Sequence, residues 1–329
     1  MGYKFHDARC GLGYSVISGN LLAATACMMK LFACQVIQPC CSPLNPPMKK
    51  LLLSLWLPFC LLCSLSGLPV AAAESVPMTM PVADDLIRTI YSGEEEMHYL
   101  VSWSGGIKIG DLFLSVRKAA NNDGYAIRAR VKDYGLFRLF YPVNDTFTTY
   151  VRGALKLPYR YEVEQKEGHG SSTTHRLTLY DQKNLQVRYR KNRGPWKNFI
   201  LTGPAYNEFS SFFITRALNF TDELPVVPTF VDKKRHEVAV ALLAREQHKS
   251  MFGRINTLKV MPKMDFKGLY DKDGDTVFWL TDDKCRVPVA IHSKILIGSL
   301  VAELVEYKNP ACPQWTGRKK KKRKLELGD

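Results

Sequence analysis

Cysteine is scarce over most of this chain: seven of its nine cysteines precede residue 74, and only Cys285 and Cys312 follow. No Cys-x-x-Cys occurs after residue 73, and His98, His169, His175, His236, His248 and His292 never fall at metal-ligand spacing. Zinc-ribbon, thioredoxin-like and zincin chemistry lack their residues, so no metal and no cofactor is expected. Gly-x-Ser-x-Gly is absent, as is a glycine-rich phosphate loop before a helix. These absences remove the hydrolase elbow and the nucleotide-binding turn. Helical periodicity is also rare, which leaves no room for the crossovers that a parallel sheet requires. No repeat of fixed period occurs.

What is present is uneven. The apolar share of 46% and charged share of 23% are those of a folded protein. Its length accommodates one large domain or two small ones. Lys and Arg number 46 against 31 Asp and Glu. Five of the former and one of the latter precede residue 74, which leaves 41 against 30, net +11, in the remainder. Seven of those positives form the tail Arg318-Lys319-Lys320-Lys321-Lys322-Arg323-Lys324.

Met48-Lys49-Lys50 opens a positive region, Leu51 to Leu65 is an apolar run, and Ala71-Ala72-Ala73 supplies small residues before Glu74. That is the order of a secretory signal. The run is short of the roughly 20 residues that a spanning helix needs, and Pro58 interrupts it. A cleaved signal over 48–73, with export to the periplasm, is therefore expected; the rival is a membrane anchor. Residues 1–47 then read as an overlong gene start or a disordered arm. The rest divides into a linker over 74–94, with a short amphipathic turn expected at Asp84 to Ile90, a single β domain over 95–310 and a basic disordered tail over 311–329.

From Met97 the pattern has period two. Tyr99, Val101 and Trp103, then Ile107, Ile109, Leu112, Leu114 and Val116, alternate with polar residues. Tyr125, Ile127, Ala129 and Val131 share a face opposite Arg128 and Arg130; Leu177 and Leu179 are assigned inward; Val187 and Tyr189 oppose Arg188 and Arg190. Further strands are expected at 236–244, 254–262, 275–281, 287–297 and 299–307. Turns fall at Asn121 to Gly124, Gly168-His169-Gly170, Asn192 to Pro195 and Asp273-Gly274. The fold class is all-β: an antiparallel sandwich, or a curved sheet forming a partly closed barrel. One packed helix is expected near 207–219, with Phe209, Phe212, Phe213, Arg216 and Phe220 on its buried stripe.

The run Tyr99-x-Val101-x-Trp103-x-Gly105-Gly106-Ile107-x-Ile109-Gly110, the helix segment Ser210 to Arg216, the run Trp279-Leu280-Thr281-Asp282-Asp283-x-x-Arg286-x-Pro288 and Gly298-Ser299 resemble the bacterial domain-of-unknown-function family numbered 3108. The resemblance spans about 95–308. It implies an exported location and a fold, and no chemistry.

Asp282-Asp283 with Arg286 reads either as a carboxylate pair for acid–base work or ion binding, or as a turn. In the turn, the Asp side chains cap backbone N–H groups and pair with Arg286. Neighbouring side chains on a strand point apart, which favours the turn, and no catalytic residue is assigned. Asp271-Lys272-Asp273-Gly274-Asp275 departs from the calcium-loop pattern and reads as a hairpin turn. Arg128, Arg130, Arg188 and Arg190 form polar stripes that either bind phosphate or sugar acid or stand solvated. With Phe209, Phe212 and Phe213 they are the candidate ligand contacts.

Export removes nucleic acid as a partner for the basic tail. Lipid, or the phosphates of an anionic envelope glycolipid, then becomes its target, with peripheral membrane contact, unless the tail is simply disordered. The preferred function is a non-catalytic envelope protein that binds an amphipathic ligand on a concave sheet, with the helix as lid or plug. An assembly factor is the alternative, and an envelope hydrolase the more distant one. Finally, a hairpin of 287–297 with 299–307 through Gly298-Ser299 sets Cys285 opposite Cys312, and an oxidising compartment permits the disulfide.

Overall fold

The computed structural model describes residues 80–104, 106–120, 123–133, 142–166, 173–221, 223–263, 276–294 and 298–318. The signal segment 48–73, residues 1–47, the turns at 121–122, 168–170 and 271–275, and the basic run from Lys319 lie outside the described residues.

The expected alternation produces strands. Helix α1 (Asp84–Ile90) leads into β1 (Glu94–Trp103), β2 (Ile107–Lys118), β3 (Tyr125–Asp133), β4 (Asn144–Arg152), β5 (Leu157–Lys166), β6 (Thr173–Asp181), β7 (Gln186–Lys191) and β8 (Lys197–Ile200). After helix α2 (Glu208–Thr215) come β9 (Val226–Val231), β10 (Lys234–Ser250), β11 (Gly253–Lys263), β12 (Thr276–Thr281), β13 (Pro288–Lys294), β14 (Ser299–Lys308) and the short β15 (Gly317–Arg318). All belong to one sheet of 15 strands, so the architecture is a curved sheet and not a sandwich. Its order is β8-β7-β6-β5-β4-β3-β2-β1-β14-β13-β12-β11-β10-β9, with β15 on β14. Two antiparallel meanders thus meet where β1 pairs with β14. Among the described residues the sheet does not close, and its two ends are β8 and β9.

The inner face buries Tyr99, Val116, Ile127, Phe147, Val187, Val240 and Leu280 around α2. Phe213 and Ile214 on this helix are wholly enclosed. Each such side chain contributes about 1.5–3 kcal/mol on leaving water. Gly110 is needed where β2 meets β3: a Cβ there would lie 2.6 Å from the Lys132 carbonyl oxygen.

Four expectations are corrected. The helix ends at Thr215 and not near 219, because the bonds Arg216 N to Phe213 O, Ala217 N to Ile214 O and Leu218 N to Thr215 O tighten to i−3 spacing. The Asn219 N–H then turns away to the Pro81 carbonyl. The amphipathic stretch expected at Asp84 to Ile90 within the linker is α1, but it does not stand free: Leu86, Ile87 and Ile90 are buried in the core, and Val82 bridges to Leu218. Residues 312–318 fold too: Cys312 is buried, and Gly317 pairs with Tyr307. On β6, the side chains of Arg176, Thr178 and Tyr180 are buried, and Leu177 and Leu179 point outward. There the leucines lie opposite Arg190 and Arg188 on β7, whose aliphatic stems can shield them.

Candidate functional site

The two free ends of the sheet approach each other without strand pairing, and residues 201–207 strap them together. The Leu201 N–H donates to the Leu185 carbonyl, and the Tyr206 N–H to Pro228. In return, the Phe230 N–H donates to Tyr206. The Gln182 amide ties the strap to β5, donating to the carbonyls of Pro158 (2.8 Å) and Ala205 (2.9 Å). Aromatic rings finish the join: Phe230 on β9 meets Tyr180 on β6 edge-on at 6.0 Å and Phe199 on β8 at 5.8 Å.

At this seam lies a cleft walled by Tyr161, Val163, Thr178, Tyr180, Tyr189, Phe199, Phe230 and Val231. Its charged lining groups are Arg176, Glu208, Asp232 and Lys233. The space that water can reach inside it is about 80 Å³, the room that roughly three waters occupy in the liquid. Asp232 and Lys233 form the two-residue β9–β10 turn at positive φ, 49° and 66°, the geometry that suits a tight hairpin.

Each polar wall group has a local reason for its position. Arg176 is only 9% exposed. Its guanidinium donates to the Gln165 side-chain oxygen, and the Gln165 amide donates to Asp145 at 3.0 Å. Asp145 also accepts the Lys166 N–H at 3.0 Å. Glu208 opens α2, placed there by a capping box: the Ser210 N–H donates to Asn207 Oδ1 and the Asn207 N–H to Ser210 Oγ, both at 2.9 Å. Asn207 Nδ2 further ties the cap to Thr149 Oγ1 at 2.7 Å. Burial pushes the Glu208 carboxyl up to about 7; Asp232 adds to this and Arg176 opposes it. Burial likewise holds the Tyr161 and Tyr180 hydroxyls far above their ordinary range, so both stay protonated.

The residues singled out from sequence are distributed differently. Arg128 and Arg130 stand exposed on β3, with Arg130 bonded to Asn144 at 3.2 Å. Arg188 and Arg190 stack on Trp196 at 4.6 Å each, on the outer face of β7. Four strand spacings separate the two pairs, roughly 19 Å. They do not converge on one ligand. Phe213 is core; Phe209 and Phe212 are partly buried against Phe147 and Phe278.

The Asp282-Asp283 motif is a turn, with one correction. Asp283 Oδ1 caps the Cys285 N–H (3.0 Å) and the Arg286 N–H (3.2 Å) and accepts from Thr281 Oγ1 (2.6 Å). Asp282, however, pairs with Arg245 through two 2.7 Å bonds and not with Arg286. Arg286 adopts φ 46°, and its Nε and Nη1 are buried without a hydrogen-bond partner among the described residues. Trp279 donates to Glu246 at 2.8 Å and lies between the rings of His248 and His292, at 4.9 and 4.5 Å. Trp103, at the end of β1, is buried beside Gly298: a Cβ on that glycine would lie 2.7 Å from the indole nitrogen. Arg216 is wholly buried against Glu95.

The disulfide Cys285–Cys312 is present, with Cα atoms 6.0 Å apart. The hairpin that suggested it has another register. Ser299 pairs with Lys294 and Glu303 with Ala290, a slip of four residues, and both cysteines lie in turns beyond the strand ends.

The cleft was missed because Tyr161, Arg176, Glu208 and Phe230 come from four separated elements. The one local signal, Arg176-x-Thr178-x-Tyr180, runs along the face of β6 opposite the more apolar pair.

No curated protein matches this chain. A solved β-barrel-like protein of domain of unknown function DUF1849 from Brucella abortus is similar over 66% of this chain and 98% of its own, with 8% identity and a TM-score of 0.47. The hypothetical protein CT021 from Chlamydia trachomatis is similar over 69% and 93%, with 9% identity and a TM-score of 0.28. Residues 98–305, well over half of the sequence, match the family described as "Protein of unknown function (DUF3108)", and the chain belongs to that family.

Proposed function

We propose that this is an exported, non-catalytic binding protein of the cell envelope, whose seam cleft holds the end of a narrow amphipathic molecule such as a single acyl chain with a charged head. The observation that carries this reading is the buried Arg176, anchored from behind by Gln165 and Asp145, in an otherwise aromatic and aliphatic wall. Pockets for small molecules combine such walls with a few placed polar groups. Helix α2 serves as a plug in this scheme. Its Phe213 and Ile214 fill the concavity, so ligand space remains at the seam and not along the whole sheet. About 80 Å³ suits one chain end and excludes a two-chain lipid body. Asp282 and Asp283 are engaged in structural bonds, which counts against hydrolysis. Export is supported by the 48–73 segment and by a buried disulfide, which an oxidising compartment sustains. Native mass spectrometry of protein purified from the envelope fraction tests both parts. A chain beginning at Glu74 with a bound species of one acyl chain is expected. A chain retaining residues upstream of Met48, or one that stays bare when offered single-chain amphiphiles, contradicts the corresponding part.

A further inference from the structure

Tyr161 is 5% exposed, and its ring packs near Phe209 at 6.4 Å. Its hydroxyl has no hydrogen-bond partner among the described residues. Native folds rarely bury a bare hydroxyl, and one that borders a cleft points to a group supplied from outside the chain. Tyr161 lines the cleft, with its hydroxyl buried behind that wall and within electrostatic reach of Arg176, Glu208 and Tyr180. Two of these groups are donors suited to an oxyanion: the phenol, which stays protonated, and the guanidinium, which burial and its Gln165 bond hold in place. The Glu208 and Asp232 carboxylates are the groups that an incoming anion would oppose.

We infer that the cleft recognises an oxyanion head borne on an apolar tail, bound by the Tyr161 hydroxyl and the Arg176 guanidinium, and that Glu208 takes up one proton from solvent as the ligand enters. This rests on the reading of the cleft as a binding site and adds the chemistry of the head group and its regulation by acid. The charged and titratable groups that line the cleft with Glu208 are Tyr161 from β5, Arg176 and Tyr180 from β6, Tyr189 from β7, and Asp232 and Lys233 from the β9–β10 turn. Of these, Asp232 favours the protonated acid and Arg176 the ionised one. A second anion beside Arg176 offsets that cation and adds like charge, so the bound state keeps Glu208 neutral. Once protonated, its O–H becomes a third donor toward the head.

Calorimetric titration of the purified protein with octanoate, octanesulfonate, octanol and octylamine at pH 6 and pH 8 tests this. Both anionic probes stay ionised at these values. With Glu208 titrating at about 7, the competent fraction changes so that both oxyanions bind about tenfold more tightly at pH 6 than at pH 8. Tyr161→Phe weakens the oxyanions and leaves octanol unchanged. Glu208→Gln binds octanoate at pH 8 as wild type does at pH 6 and abolishes the pH dependence. If octanol or octylamine binds as tightly as octanoate, with no pH dependence for any probe, the oxyanion inference falls and the cleft remains an amphiphile site. If none of the four binds, the cleft reading itself falls.

Discussion

The Arg216 guanidinium and the Glu95 carboxylate face each other through two parallel hydrogen bonds of 2.7 Å, and neither side chain is exposed. The pair joins the end of α2 to β1, and further bonds extend it. Arg216 Nε donates to the Arg286 carbonyl at 3.0 Å, and the Tyr307 hydroxyl donates to Glu95 at 2.9 Å. Asn309, from beyond β14, donates to the Thr89 carbonyl at 3.3 Å and accepts from Ser92 Oγ at 2.9 Å. One ion pair thus fastens the plug helix to β1 and to the β12–β13 turn, while its neighbours tie in the chain after β14.

Removing one partner leaves the other as an uncompensated buried charge. Arg216→Met or Glu95→Leu should therefore cost about 3–5 kcal/mol of unfolding free energy. The double variant should lose less than the two single losses added together. Arg216→Lys should remain impaired, because an ammonium cannot reproduce the two-pronged contact. Urea unfolding of the four variants checks this; single losses under about 1 kcal/mol would make the pair incidental.

The disulfide lies beside this clasp, and Arg216 Nη2 also contacts the Cys285 carbonyl at 3.3 Å. The bridge closes a loop with a sequence separation of 27, for which chain entropy suggests about 3–4 kcal/mol. Cys285→Ser or Cys312→Ser should lower stability by that order. Peptide mapping without reduction should recover the two cysteines in one linked pair. Recovery of both as free thiols would contradict the assignment.

Glu208 gives a stability profile with a defined sign. Its folded-state value of about 7 lies above the 4.5 of a free glutamate, so between these values the folded chain holds more protons than the unfolded one. Stability from this group is therefore full below about pH 4.5 and is lost as the pH rises through 7. The loss amounts to about 3 kcal/mol at pH 8. Glu208→Gln should match wild type at pH 5 and exceed it at pH 8. Parallel pH dependences for the two proteins would remove Glu208 as the source.

Much of the fold is legible in the sequence, because a half-buried antiparallel strand writes itself in alternation. Tyr99, Val101 and Trp103 are all buried, as are Leu112, Leu114 and Val116. The same rule failed on β6, where both faces carry apolar atoms and the burial of Arg176 depends on Gln165 and Asp145, residues of other strands. Register failed at β13–β14 because turn length, and not a glycine alone, sets it. The disulfide was reached even so, since two cysteines beyond adjoining strand ends tolerate the slip. The cleft could not be read, because it exists only where the first and last parts of an open sheet meet.

Photolabelling with an octanoate analogue that carries a diazirine at its tail end, mapped by peptide mass spectrometry, tests the binding claim most directly. Label is expected on peptides bearing Phe199 or Phe230, in the apolar wall of the cleft, and excess octanoate should displace it. Label on the outer stripe of Arg188 and Arg190 or around Trp279, undiminished by octanoate, would contradict a ligand site at the seam.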